Sequence, residues 1–191
     1  MNYLAHLHIA DHCNSHFAGN LLGDFVKGCP EQQHPQPVAD GIRLHRFVDV
    51  YTDSHLLVKQ AKSYFHPDRK RYALIALDMF WDHCLAKDWR HYSDESLAEF
   101  SARAERQVLA YQGDFSPRYQ RLMSFMWQQQ WLQSYAKFDN IALALERMSR
   151  RSERMTPLAE CSQDLQQYYE EVSQLFAPFY QDLLAAAKQQ G

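Results

Sequence analysis

Apolar residues recur at helical spacing along nearly the whole chain, and no segment keeps the strict two-residue alternation of a half-buried strand. The pattern predicts a short helix over residues 2–11, with Leu4 and Leu7 on one side. A second helix opens at Gly19 and Asn20 and runs to Lys27, where Gly28 and Pro30 stop it. Residues 30–37 read as a polar loop, and a helix follows from about Val38 to Thr52. Asp53 or Ser54 caps the next, which reaches Phe65 before Pro67, and Asp68 caps one extending to about Lys87. Ser93 starts a helix ending near Gly113, and Pro117 fits the first turn of one that breaks or bends before Trp131. Further helices run from Asn140 to Arg151 and from Pro157 to Phe176, and Pro178 kinks or separates a last segment, Phe179 to Ala187. The expectation is an all-α protein, a single helical bundle of about eight to nine helices forming one domain over residues 1–191.

Composition narrows this picture without redirecting it. With 46% hydrophobic and 23% charged residues the chain lies in the ordinary globular range, and only 6 Gly and 7 Pro argue against a turn-rich β protein. The net charge of −3 gives no general attraction to nucleic acid, so an electrostatic partner must be recognised locally. Cys13, Cys29, Cys84 and Cys161 form no Cys-x-x-Cys pair, which disfavours a zinc knuckle or a disulfide framework and suits a reducing cytoplasm. The N-terminus has no basic lead-in before an apolar core, and no apolar run approaches the roughly 18 residues of a membrane span. A cytoplasmic protein with no membrane or nucleic-acid partner is expected.

The candidate chemistry lies in apolar surroundings. His45 and Asp49 stand four residues apart on a mostly apolar helical face bordered by Ile42 and Val48. Asp78 and Asp82 repeat the spacing within one of the most apolar runs of the chain. Ionisable groups so placed are costly unless compensated, and a divalent cation shared between the two helices is an economical compensation. Asp24 adds a carboxylate bordered by apolar residues and by Gly23, which allows close approach. His83 adjoins Asp82 but points about 100° away, so one of the two ligates while the other supports it or donates a proton. His6 and His8 cannot share a helical face, so at most one serves a common site. The expected metal ligands are Asp24, His45, Asp49, Asp78 and Asp82, and the expected catalytic groups are Asp24, His83 and His6. Such oxygen and imidazole ligands without thiolates suit Mn²⁺ or Mg²⁺ and the hydrolysis of phosphate esters, with a histidine to protonate the leaving alkoxide.

Basic residues supply a second signal. Arg147, Arg150, Arg151 and Arg154 follow helical spacing and are expected to form a cationic stripe on one helix, while Arg69, Lys70 and Arg71 crowd a helix N-terminus where the dipole opposes them. A solvated face is one account of both groups, and an acidic or phosphorylated partner is the other.

Several short motifs, taken in order, resemble the bacterial acyl carrier protein phosphodiesterase family. They are Asn2-Tyr3-Leu4-Ala5-His6-Leu7-His8, Gly19-Asn20-Leu21-Leu22-Gly23-Asp24-Phe25, His45-Arg46-Phe47-Val48-Asp49 with Thr52-Asp53, and Asp78-Met79-Phe80-Trp81-Asp82-His83. Similarity continues through Trp127-Gln128-Gln129-Gln130-Trp131-Leu132 and Met148-Ser149-Arg150-Arg151. The resemblance implies an HD-domain-like helical fold and Mn²⁺-dependent hydrolysis of holo-acyl carrier protein, releasing 4′-phosphopantetheine. It gives the arginine groups a role in docking an acidic carrier protein. One departure is that the adjacent His-Asp doublet of HD proteins is absent, the only such neighbours being the reversed Asp82-His83. The alternatives are a nucleotide phosphohydrolase of the same broad class and a non-catalytic helical module that binds an acidic carrier protein.

Overall fold

The computed structural model describes residues 1–190, and among them every regular element is helical. In chain order the α-helices are α1 (Tyr3–His12), α2 (Phe17–Leu22), α3 (Gln36–Ser54), α4 (Leu56–Ser63), α5 (Ala73–Lys87) and α6 (Leu97–Ala110). They continue with α7 (Pro117–Gln128), α8 (Trp131–Ser134), α9 (Phe138–Ser149), α10 (Cys161–Gln167) and α11 (Tyr169–Lys188). The expected all-α class holds, and the count exceeds eight to nine because of short pieces such as α2 and α8. No helix among the described residues is long and apolar enough to cross a membrane.

Capping chemistry explains the shifted boundaries. His16, not Gly19, caps α2 by accepting the Gly19 N–H, and His55 rather than Asp53 or Ser54 caps α4 by accepting from Leu57. Ser96 and Glu99 close a reciprocal capping box at α6, three residues beyond the expected Ser93. Gln130 takes the left-handed conformation, φ 49°, and breaks the chain between α7 and α8, before Trp131 as expected. Two proline readings are corrected. The helix expected from Pro157 divides into a 3-10 turn over 153–158, α10 and the start of α11. Pro178 lies inside α11, which runs through it.

α1 and α5 form the centre. Leu4, Ala5, Leu7, Ile9 and Ala10 of α1 and Ala76, Leu77, Phe80, Trp81 and Leu85 of α5 have no exposed surface, so both helices are apolar around most of their circumference. One hydrophobic cluster takes in side chains from all eleven helices. α2 packs against α3 at very short range: a Cβ on Gly19 would lie 2.5 Å from the Val38 carbonyl oxygen, and one on Gly41 would lie 2.8 Å from that of His16.

The tie between the two central helices is polar. Asp82, with no exposed surface, accepts the backbone N–H of Leu4 at 2.8 Å and of Ala5 at 3.1 Å. These are orphan amides of the first turn of α1, which its own cap residue Asn2 leaves unbonded. Asp82 therefore caps a helix distant in sequence. Burial pushes its carboxyl up to about 7 despite those two hydrogen bonds. Removing the acceptor in Asp82→Ala leaves two buried donors unpaired and is expected to cost about 2–4 kcal/mol, read as a lowered urea midpoint, with Asp82→Asn milder. A midpoint unchanged in Asp82→Ala would contradict this role.

Candidate metal centre

The fold brings His6, Asp24, His45 and Asp49 into one cluster. His6 comes from α1, Asp24 from the turn after α2, and His45 and Asp49 from successive turns of α3. The two imidazoles lie face to face, ring centres 3.8 Å apart and 17° from parallel. Asp49 reaches both, Oδ1 to His6 Nε2 at 3.2 Å and Oδ2 to His45 Nε2 at 3.1 Å, and Asp24 Oδ1 lies 3.4 Å from His45 Nε2. The rings are buried, whereas the side chains of Asp49 and Asp24 are 40% and 54% exposed, so the cluster opens to solvent on its carboxylate side.

Each group is held by its neighbours. Asn20 is fully buried, its amide donates to Ser15 Oγ and the His16 carbonyl, and its own carbonyl takes the His45 Nδ1–H at 2.7 Å. That bond fixes the ring and directs the other nitrogen, Nε2, at the carboxylates. Gly23 makes room for it: a Cβ there would lie 2.1 Å from His45 Cδ2. Arg46 donates to the carbonyls of Val26 and Gly28 and straps the loop after Asp24 onto α3.

Buried His6 Nδ1, His6 Nε2 and His45 Nε2 have no hydrogen-bond partner, yet carboxylate oxygens lie just over 3 Å from two of them. One ligand atom from each of His6, His45 and Asp49 falls within 4.8 Å of the others. Imidazole nitrogens and carboxylates converge here, with the Met1 amino group 3.6 Å from Asp49, and a proton on His45 offsets the carboxylate charge. Burial works against that protonation, but Asp24 and Asp49 outweigh it and raise His45 to about 9. Burial and the neighbouring His45 push His6 down to about 4, so it is neutral at pH 7 and free to ligate. The bond to His45 holds Asp24 below its ordinary range, and the two imidazoles depress Asp49 against the opposing effect of burial.

Other expected site residues lie apart from this cluster. Asp78 approaches it from α5, but its Oδ1 receives the Met1 amino group at 2.7 Å, and that amino group also lies 3.6 Å from Asp49. Asp82 is corrected from ligand to cap, both its oxygens being taken by α1 amides. His83 is corrected from catalytic group to core residue, donating from Nδ1 to the Tyr135 carbonyl at 2.8 Å and accepting at Nε2 from the Tyr169 hydroxyl at 2.6 Å. His8 is also in the core, bonded to the Tyr180 hydroxyl and the Tyr92 carbonyl. Spacing alone did not reveal the part of Asn20, because the acceptor is its backbone carbonyl and any residue type carries one.

The arginine stripe is likewise corrected. α9 ends at Ser149, Arg150 caps it while pairing with Glu146, and Arg154 belongs to the following 3-10 turn, so no single helix face carries all four. Arg69 makes two bonds to Asp164 and one to Glu160, tying its turn to α10 rather than facing a partner. Lys70, Arg71, Arg147 and Arg151 are exposed.

Three comparisons bear on this geometry. A family model described as "Acyl carrier protein phosphodiesterase" matches residues 1–183. Proteins carrying that same name are similar over nearly the whole length. One from Enterobacter sp. is 41% identical and one from Yersinia enterocolitica 40%, each over 98% of both chains. A third, from Klebsiella pneumoniae, is 39% identical over the same shares. No solved structure matches.

Gly23→Ala tests the cradle without reference to activity. The methyl group displaces the His45 ring, so its titration, followed by NMR in chelated protein, is expected to fall from about 9 toward the ordinary value near 6.5. An unmoved titration would contradict the packing. The sign for stability follows: His45 stabilises the fold fully below the unfolded value, and that contribution fades as pH rises through about 9.

Proposed function

The chain belongs to the acyl carrier protein phosphodiesterase family, and from that membership we infer that it is a hydrolase cleaving the phosphodiester between 4′-phosphopantetheine and the serine of holo-acyl carrier protein. The products are apo-carrier protein and 4′-phosphopantetheine. We further propose that the reaction uses a divalent cation, Mn²⁺ or Mg²⁺, held by His6, His45 and Asp49 with Asp24 at the rim. The observation that supports this reading is the convergence of two buried imidazoles with two carboxylates, one ligand atom from each of His6, His45 and Asp49 lying within 4.8 Å of the others.

A bound divalent cation offsets phosphoryl charge and makes water a stronger nucleophile at neutral pH. The protein's own contribution is orientation and charge. The Asn20 carbonyl and the Gly23 notch aim the His45 Nε2 lone pair, and the stacking of His6 on His45 limits movement of either ring. Asp24 and Asp49 are ionised at neutral pH and stand at the exposed side, where an attacking water has to be oriented. The departing serine oxygen needs a proton. Of the histidines expected to supply it, His6 is neutral and engaged as a ligand of the cation, and His83 is bonded elsewhere in the core, so the proton comes from another group.

Two measurements test the reading. Mass spectrometry of holo-carrier protein incubated with Mn²⁺ and the protein is expected to show loss of the prosthetic group. His45→Ala or Asp49→Ala is expected to slow that loss by about 100-fold or more, while His83→Gln stays within a few-fold of wild type. Intact holo-carrier protein under every metal, or nucleotides hydrolysed instead, would overturn the assignment. Calorimetry tests the cation: because His45 holds a proton up to about 9, Mn²⁺ binding at pH 7 is expected to release about one proton and to tighten about tenfold per pH unit between 6 and 8. Binding that neither releases a proton nor strengthens with pH would place the cation elsewhere.

A further inference from the structure

Arg118 is a cation near the cluster that neither the sequence pattern nor the family name assigns. It stands in the first turn of α7, whose start is fixed by Pro117 and by Ser116 accepting the Tyr119 N–H. Its guanidinium lies 5.4 Å from the ring centre of Phe25, the residue that follows Asp24. Phe25 is itself set edge-on against Tyr119 at 5.2 Å, so the same helix turn grips the ring from two directions. The stack fixes the guanidinium beside the turn that carries the rim carboxylate.

Arg118 is exposed and makes no hydrogen bond or ion pair among the described residues. The chain uses arginine differently where the role is structural: Arg69 forks onto Asp164 and Arg103 onto Asp11.

Charge arithmetic shows why an unpaired cation is needed there. Asp24 and Asp49 together balance a divalent cation, and Met1 and Asp78 balance each other, so the occupied cluster has no net attraction for an anionic phosphodiester. A guanidinium beside the turn that carries Asp24 can supply that attraction, and its planar fork matches two phosphate oxygens. We propose that Arg118, stacked on Phe25, clamps the non-bridging oxygens of the substrate phosphodiester. This rests on the hydrolytic reading above.

The test uses the full chain loaded with Mn²⁺. Arg118→Ala and Arg118→Lys are expected to keep the helical circular dichroism and to bind Mn²⁺ within about twofold of wild type. Their kcat on holo-carrier protein falls about 10- to 100-fold, and inhibition by inorganic phosphate weakens by about as much. Lysine fails with alanine because it lacks the fork. Unchanged phosphate inhibition overturns the clamp, whether kcat stands or only KM for the carrier protein rises; the latter pattern makes Arg118 a contact for the protein partner. Should wild type release no prosthetic group, the hydrolytic reading fails by itself. Calorimetric titration of the Mn²⁺-loaded protein with phosphate then decides the clamp: weaker binding in the variants supports it, and equal binding overturns it.

Discussion

Two buried imidazoles held against two carboxylates form the constraint around which the site is arranged. Asp49 presents one oxygen to each of two buried imidazoles, and Asp24 presents another to the second of them. A donor such as a lysine or an arginine in that space would satisfy them all and would make an ordinary buried ion pair. The chain instead gives its arginines to other work: Arg46 to the loop carbonyls, Arg103 to Asp11 and Glu95, Arg69 to Asp164. What remains is a cluster of imidazoles and carboxylates whose excess negative charge is offset by the proton held on His45.

The surrounding fold serves to keep three separate helices in register at that point. Asp82 secures the first turn of α1, and therefore the height of His6, from the middle of α5. The glycine contact lets α2 and α3 approach until the Asn20 carbonyl reaches His45. Neither device touches the reacting atoms, but both set where the imidazoles stand. The same carboxylate-on-helix pattern has thus been put to two uses, a partner for two imidazoles on α3 and a cap on α5.

That duplication explains how much was legible in the sequence. Helical periodicity and proline or glycine punctuation gave the all-α class, and the spacing of His45 and Asp49 gave one side of the cluster. For Asp78 and Asp82 the same spacing gave the face of a helix but not the chain lying across it, because the pairing with residues 1–5 is non-local. His83 reads as a reactive histidine in an apolar run, and only the distant Tyr135 and Tyr169 reveal it as a satisfied one. The arginine stripe failed at a cap: once α9 stopped at Ser149, the four side chains no longer shared an axis. Pro178 does not separate the last segment, since a helix buried along Phe176, Phe179 and Tyr180 gains more from packing than it loses by one missing hydrogen bond.

The gradient of exposure across the cluster, from imidazoles at its floor to a rim where the Asp24 side chain keeps about half its surface free, bears on the size of molecule that can be served. A deep shaft would admit only a ligand able to thread it, and a scissile bond anchored to a folded protein could not descend. A shallow bowl whose polar lip faces outward imposes no such limit: a bond standing on the surface of a macromolecule meets the lip by simple apposition of two bodies. Selectivity must then come from whatever else the two surfaces touch, and not from the dimensions of an entrance.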